Sequence, residues 1–303
     1  GTATFTVEDS PITGVFFDQV GVYTQRLTAD DGQGPVFDEV TLTVLTETEP
    51  GLVGYWPLDR PGPVIDDRSG LQQDGAVVTE GPALISVLGQ DGGALLFDGD
   101  ENQAVVIADS PLLAPDPLED DFSILLWIRV EPGAEGSILS RGAADPSQRH
   151  YQLFLSDPNG DGASDLNAIV GGETNDQAKQ LGIQIDDGSW HHVALVHEAA
   201  SGTNRLFIDG VPIGVPVPSG DAILDVSLIL GARRAEADDT GIGFPLTGAL
   251  DDVRFFFGRA LSASEIDAVR LSADCLDGSC ILFASDFESG DVMDWSSCSA
   301  SGC

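Results

Sequence analysis

The residues best suited to chemistry lie in one short run, Asp157-Pro158-Asn159-Gly160-Asp161-Gly162-Ala163-Ser164-Asp165. Oxygen-bearing side chains stand at its first, third, fifth and ninth positions, with Gly162 at the sixth. A hard cation such as calcium takes about six to eight oxygens, and alternate Asp and Asn residues along a tight turn aim theirs at one centre. Asp157, Asn159, Asp161 and Asp165 are therefore expected to hold calcium. The twelfth position is Ala168, where a bidentate glutamate usually closes such a loop, so Asp165 has to close it instead. A plain hairpin tip between 151–155 and 166–170 accounts for the same residues, because Asn-Gly and Asp-Gly are strong turn formers.

Cys275, Cys280, Cys298 and Cys303 make up the whole cysteine content and sit in the last stretch of the chain. Thiols this dense in an acidic chain with the marks of export predict two disulfides. Pairing across a turn at Glu288-Ser289-Gly290-Asp291 joins Cys280 to Cys298 and Cys275 to Cys303. Pairing of near neighbours, Cys275 with Cys280 and Cys298 with Cys303, is the alternative. A zinc site from two C-x4-C arms is a third arrangement, although zinc knuckles use tighter spacing.

Catalytic groupings are missing from the sequence. His191 and His192 are adjacent, so on a strand they face opposite sides and cannot share a metal. No Gly-x-Ser-x-Gly elbow and no glycine-rich phosphate loop before a helix occurs. Most acidic residues fall in turns, where a solvated charge needs no catalytic explanation. No enzymatic activity is expected.

Charge excludes further classes. The 303 residues carry 50 acidic and 13 basic side chains, a formal net charge of −37. Such a chain repels nucleic acid and anionic lipid, which need a positive surface. No apolar run reaches the roughly 18 residues of a membrane-spanning helix, so direct insertion is not expected. No leader is visible before Gly1-Thr2-Ala3-Thr4-Phe5, which already reads as a strand. A processed chain or a fragment of a longer one is expected.

The elements that must position these residues are strands. Trp190-His191-His192-Val193-Ala194-Leu195-Val196 and Arg205-Leu206-Phe207-Ile208-Asp209-Gly210 alternate as half-buried strands do, joined by a polar connector. Short apolar runs separated by Gly, Asp, Pro and Asn recur over 51–271 and predict an all-β sandwich. One helix is credible, with Ser262 as its cap and Glu265 completing a capping box. Ile266 and Val269 are expected to pack back onto a sheet.

Several of these segments, in this order, resemble the concanavalin A-like, laminin G-like jelly-roll family. They are Gly51-Leu52-Val53-Gly54-Tyr55-Trp56, Gly93-Ala94-Leu95-Leu96-Phe97-Asp98-Gly99, Phe122-Ser123-Ile124-Leu125-Leu126-Trp127-Ile128-Arg129, the Trp190–Gly210 pair, and Gly248-Ala249-Leu250-Asp251-Asp252-Val253-Arg254. The resemblance implies an all-β, two-sheet antiparallel jelly roll over 48–271. It implies a second calcium near the Phe97-Asp98-Gly99 turn and the closing strand, at Asp98, Asp100 and Asp251, with Asp252 beside them. It also implies that the two histidines and Trp56, Trp127 and Trp190 are architectural. The fold family includes glycoside hydrolases, which need two carboxylates at a cleft; their usual Glu-x-Asp-x-x-Glu strand is absent from this sequence.

Two flanking blocks are expected. Residues 1–47 resemble the last strands of a bacterial immunoglobulin-like, PKD-type domain, and are too few for a whole sandwich. Their missing neighbours imply strand-sharing with another domain or chain. Residues 272–303 form the cysteine-bearing tail, with a segment similar to one near the ends of many secreted bacterial proteins. Together these features predict a calcium-stabilised recognition module, extracellular or on a bacterial surface, that binds a glycan or a protein through rim loops. The loops are 141–149, 171–179 and 233–244. The last holds Arg233 and Arg234, suited to an acidic sugar or to a salt bridge with Glu236 or Asp238. A structural subunit of a fibre, sheath or surface complex, and an ancillary domain of a secreted carbohydrate-active enzyme, are the alternatives.

Overall fold

A computed structural model describes residues 3–5, 14–17, 21–30, 34–44, 50–79, 83–99, 103–142, 145, 147, 149–157, 160–172, 183–235, 241–271 and 280–281. The chain divides into two compact units, Gly1–Glu47 with Leu271–Cys303, and Thr48–Arg270.

The larger unit is a sandwich of two antiparallel sheets. One has seven strands, in the order Asp165–Val170, Arg149–Ser156, Gly136–Gly142, Leu228–Leu230, Ala104–Ile107, Gly75–Val78, Val64–Ile65. The other runs Val211–Pro218, Thr203–Ile208, Trp190–Glu198, Phe122–Arg129, Thr247–Phe257, Gly93–Asp98, Ile85–Leu88, with Leu52–Trp56 also paired to Thr247–Phe257. Phe122–Arg129 shows why the pattern folds this way. Phe122, Ile124, Leu126 and Ile128 enter the central core, while Leu125 joins a second apolar cluster on the opposite face. A strand buried on both faces has to read as a nearly continuous apolar run.

The second cluster is covered by the helix Ala263–Leu271. Ser262 Oγ accepts from the Glu265 N–H at 3.4 Å and the Ser262 N–H donates to Glu265 Oε2 at 2.8 Å, the reciprocal bonds of a capping box. Ile266 and Val269 then pack among Leu125, Val196 and Phe256, as their spacing predicts.

In the smaller unit, Gly21–Asp30 and Pro35–Val44 form a regular hairpin. Ala3–Phe5, Gly14–Phe17 and Cys280–Ile281 make a three-stranded sheet in which Val15 stands opposite Cys280. The tail thus supplies a strand to the N-terminal block from within the same chain. Cys275, Cys298 and Cys303, and with them the expected disulfides, lie outside the described residues.

Candidate functional site

The seven-stranded sheet turns one face to the core and the other outward. Its outward face can be read across the ladders. Val106 stands opposite Ile229, Ile229 opposite Ser140, Ser140 opposite Gln152, and Gln152 opposite Ile169. The chain neighbours Leu228, Leu230, Leu139, Leu153, Ala168 and Val170 all lie in the central core, which fixes this row on the other side. Two polar residues therefore sit in the middle of an otherwise apolar row. A second row beside it runs Ser137, Phe154, Asn167.

The polar members are only partly satisfied. Gln152 Nε2 donates to Ser137 Oγ at 2.9 Å. Asn167 Nδ2 donates to the Asp165 carbonyl at 2.8 Å and to Ser156 Oγ at 3.2 Å. Ser140 Oγ, Gln152 Oε1 and Asn167 Oδ1 are buried without a protein partner. Each such atom costs about 1–3 kcal/mol if nothing meets it. Three lie on one face, where a buried water or a hydroxyl-rich ligand would meet them.

Apolar and cationic groups border the rows. Ile242 packs onto Ala104, Ile229 and Ala232, and Phe244 onto Phe154 and Ile169. The Phe244 and Phe154 rings meet edge to face at 6.4 Å. Phe244 holds φ 52°, left-handed for a bulky residue, and its carbonyl accepts from the Ser137 N–H at 2.9 Å. The Arg233 guanidinium lies over the Phe244 ring at 4.7 Å, and that of Arg149 over Phe154 at 6.0 Å. Arg233 is half-buried, which lowers its pKa, and it makes no ion pair among the described residues. Its face lies on an aromatic ring. Glu236 and Asp238 lie outside the described residues, and Arg234 is buried.

The other loop ends are built differently. Arg141 is fully buried, donating to Asp109 Oδ1 at 2.5 Å and to His150 Nδ1 at 3.3 Å. It belongs to the interior rather than to a rim. Of 171–179, only Gly171 and Gly172 are described.

In the 157–165 loop, Asp157 Oδ1 accepts from the N–H groups of Gly160 at 2.7 Å and Asp161 at 3.2 Å, and Oδ2 from Gly162 at 2.9 Å. Asp161 Oδ1 accepts from the Ala163 N–H at 2.9 Å. The loop wraps its first carboxylate as a capped turn, with Gly160 and Gly162 at φ 71° and 84°. Asp165 is a buried strand residue opposite Ser156. Donor types and spacing fit calcium, but among the described residues no three His, Cys, Asp or Glu converge on one centre. Asn159 lies outside the described residues.

Two members of the second expected calcium set, Asp98 and Asp251, lie apart. Asp98 stands opposite Thr247, four residues from Asp251 along an extended strand, or about 13 Å. Asp251 Oδ2 instead accepts from the N–H groups of Gln90 at 2.7 Å and Asp91 at 3.3 Å. Burial, with Asp252 adding repulsion, pushes the Asp251 carboxyl up to about 8. Asp252 follows in a bulge at φ 50° and accepts from the Tyr55 hydroxyl at 2.8 Å. Asp100 lies outside the described residues.

The histidines hold architecture. His191 contacts Asp209 Oδ2 at 2.9 Å and Asp187 Oδ1 at 3.2 Å. His192 is buried with its ring edge-on to Trp127 at 5.1 Å.

Sequence reasoning missed Ser140, Gln152 and Asn167. The available signal was slight, because Gly136–Gly142 and Arg149–Ser156 already mix polar and apolar residues and only the burial of almost every position in these strands and in Asp165–Val170 sets the three apart.

Two facing antiparallel sheets, with the one α-helix of the described residues covering part of one of them, define a jelly-roll sandwich. Residues 98–267, more than half the chain, match the laminin G-type model of the concanavalin A-like lectin/glucanases superfamily, and the chain belongs to that superfamily. Solved structures share the fold at low identity. Domain 4 of the GH43 extracellular arabinanase AbnA from Geobacillus stearothermophilus, in complex with arabinotriose, is 18% identical, with 72% of this chain and 97% of that one covered and a TM-score of 0.49. The binding domain of Paraclostridial Mosquitocidal Protein 1 is 17% identical, with 72% and 51% covered and a TM-score of 0.50. A Trypanosoma rangeli sialidase is 16% identical, with 72% and 32% covered and a TM-score of 0.48. The chain thus spans about half of the second protein and a third of the sialidase. A search of curated proteins finds no match. No helix among the described residues is long and apolar enough to cross a membrane.

Proposed function

We propose that this chain is a non-catalytic glycan-recognition module whose ligand face is the outer face of the seven-stranded sheet. The observation that carries this reading is the set of unpaired buried atoms Ser140 Oγ, Gln152 Oε1 and Asn167 Oδ1 on adjacent strands. Sugar hydroxyls both donate and accept, so they suit a hydroxyl and two amide carbonyls held at fixed spacing. The part of Phe244 left exposed beside Arg233 supplies apolar surface for the C–H face of a sugar ring, with Phe154 buried beneath it. Ile242 and Phe244, which pack beside the rows on Ile229, Phe154 and Ile169, are themselves only half-buried, and because Ser140, Gln152 and Asn167 are buried as the face stands, a sugar reaches them only when the groups covering them move aside. Glycoside cleavage requires two carboxylates across the bond, and neither row contains one.

Calcium at Asp157, Asn159, Asp161 and Asp165 is part of the same proposal, as a stabiliser of the loop that leads into Asp165–Val170. The proposed setting is outside the cell, where millimolar calcium and free glycans are both available. A glycan-array screen of the intact chain, with Gln152→Ala alongside, tests the reading. Retention of a defined glycan by the wild type and its loss in Gln152→Ala are expected. An array with no retained glycan, or equal retention by both proteins, sinks it.

A further inference from the structure

We propose that the glycan bound at this face carries a carboxylate, as uronic and sialic acids do, and that Arg233 receives it. The proposal rests on the glycan reading above and adds the charge class of the ligand. Its starting point is the position of Arg233 at the border of the polar rows. The guanidinium lies over Phe244, Phe244 meets Phe154, and Phe154 shares a row with Ser137 and Asn167. One aromatic pair therefore separates the cation from the unpaired acceptors.

The chemistry of the group follows from how it is held. Stacking uses the face of the guanidinium and leaves its in-plane N–H edge available. A carboxylate takes two such N–H groups in a fork, a geometry that a lysine does not offer. The Phe244 ring sets the plane in advance, so less freedom is lost on binding. Acid–base pairing elsewhere in the chain absorbs Arg26, Arg68, Arg141, Arg259 and Arg270 with Glu39, Asp59, Asp109, Glu265 and Asp267. Arg233 has no such partner among the described residues; Arg60, Arg129 and Arg205 have none there either, and Arg129 likewise stacks on a ring, that of Trp190 at 5.1 Å, so it is the border position of Arg233 beside the polar rows that sets it apart.

The net charge of −37 works against every anionic ligand alike, so short-range contacts have to supply the affinity. It disfavours any anion at long range, an effect screened beyond about 8–10 Å at physiological salt. An isolated carboxylate such as acetate gains only the fork. An acidic oligosaccharide gains the fork at one residue and contacts to the polar rows from another.

Calorimetric titration of the intact chain with trigalacturonate and with sialyllactose, each against its carboxyl methyl ester, tests this. The two acids distinguish a uronic from a sialic ligand. At least one acid is expected to bind about tenfold or more tightly than its ester, as a charged hydrogen-bonded contact allows. Arg233→Gln is expected to bring the acid down to the ester's affinity and leave the ester unchanged. Arg233→Lys, which keeps the charge without the fork, should fall between. Acid and ester binding alike, a preference that survives Arg233→Gln, or an Arg233→Gln protein that loses the ester as well, would overturn the inference while the glycan reading stands. Binding of neither acid and neither ester, together with a blank glycan array, removes both.

Discussion

Ser140 and Gln152 stand directly opposite each other on neighbouring strands, nearly solvent-free, with Ser140 Oγ and Gln152 Oε1 both unpaired. A core chosen for stability alone would not keep this pair. Ser140→Ala removes one unpaired hydroxyl and leaves no new orphan, because no bond to Ser140 Oγ exists. Its unfolding free energy is expected to stay level or rise by about 1 kcal/mol in urea denaturation. The same substitution is expected to weaken glycan binding several-fold. A loss of stability of about 1 kcal/mol or more would mean that the hydroxyl is already satisfied, and would remove the reason for placing a ligand there.

The 157–165 loop makes a separate prediction. If calcium binds there, the folded state gains stability by mass action, about 2.7 kcal/mol at a hundredfold excess over Kd. For a domain of this size that corresponds to a melting shift of roughly 5 °C or more. Thermal melts in calcium and in EDTA should differ by this amount in the wild type. They should coincide in Asp157→Asn/Asp161→Asn. Coincident melts in the wild type would leave the loop as a capped turn, held by the bonds from Gly160, Asp161 and Gly162 to Asp157.

Much of the sandwich was legible because strand alternation and turn residues are local signals. Val193 and Leu195 face the core while Ala194 and Val196 face the helix, as their alternation states. Ser262 and Glu265 announced that helix through a four-residue motif. The ligand face was not legible, because a polar residue between apolar neighbours reads as solvent-facing. Whether Gln152 meets water, a covering loop or a partner depends on which strands flank it, and those lie 12 to 77 residues away in sequence at Ser140, Ile169 and Ile229. The pairing of Asp98 with Asp251 failed for a related reason. Both lie on paired strands, but only the register shows that four residues separate them.

Asp209 explains why the Trp190-His191-His192 strand start and the Asp209-Gly210 turn belong together. Its Oδ1 accepts from the His192 N–H at 2.9 Å, and its own N–H donates to the His192 carbonyl at 2.8 Å. Its φ of 51° is one that Asn tolerates and Ala resists. Asp209→Ala is expected to cost about 1–3 kcal/mol through the lost acceptor and the strained backbone. Asp209→Asn keeps a carbonyl oxygen for the His192 N–H and should cost clearly less. Equal losses in urea denaturation would show that the charge on Asp209, acting on His191, matters more than the backbone bond.

Two of the buried histidines, His150 and His192, give the larger unit a defined response to acid. Burial, aided by Arg141, pushes His150 down to about 4. Arg141 Nε donates to its Nδ1 at 3.3 Å, so the proton sits on Nε2, facing the Pro115 carbonyl at 2.5 Å. Burial, then Arg270 and Arg254, pushes His192 down to about 3, with Asp209 and Asp267 opposing. An unfolded histidine titrates near about 6.5. The stabilisation is therefore complete above that pH and is lost as pH falls, since the unfolded chain takes up protons that the folded chain refuses. Asp251 acts in the opposite sense, because its raised pKa lets the folded state bind a proton first. Absolute stability against pH mixes these effects, and the difference between two proteins separates them. Between about pH 6 and pH 4 the wild type should lose about 1.4 kcal/mol per pH unit relative to His192→Gln, a comparison in which Asp251 cancels. Parallel pH profiles for the two proteins would mean that His192 is charged in the folded state, and that its ring is not sealed beneath Trp127.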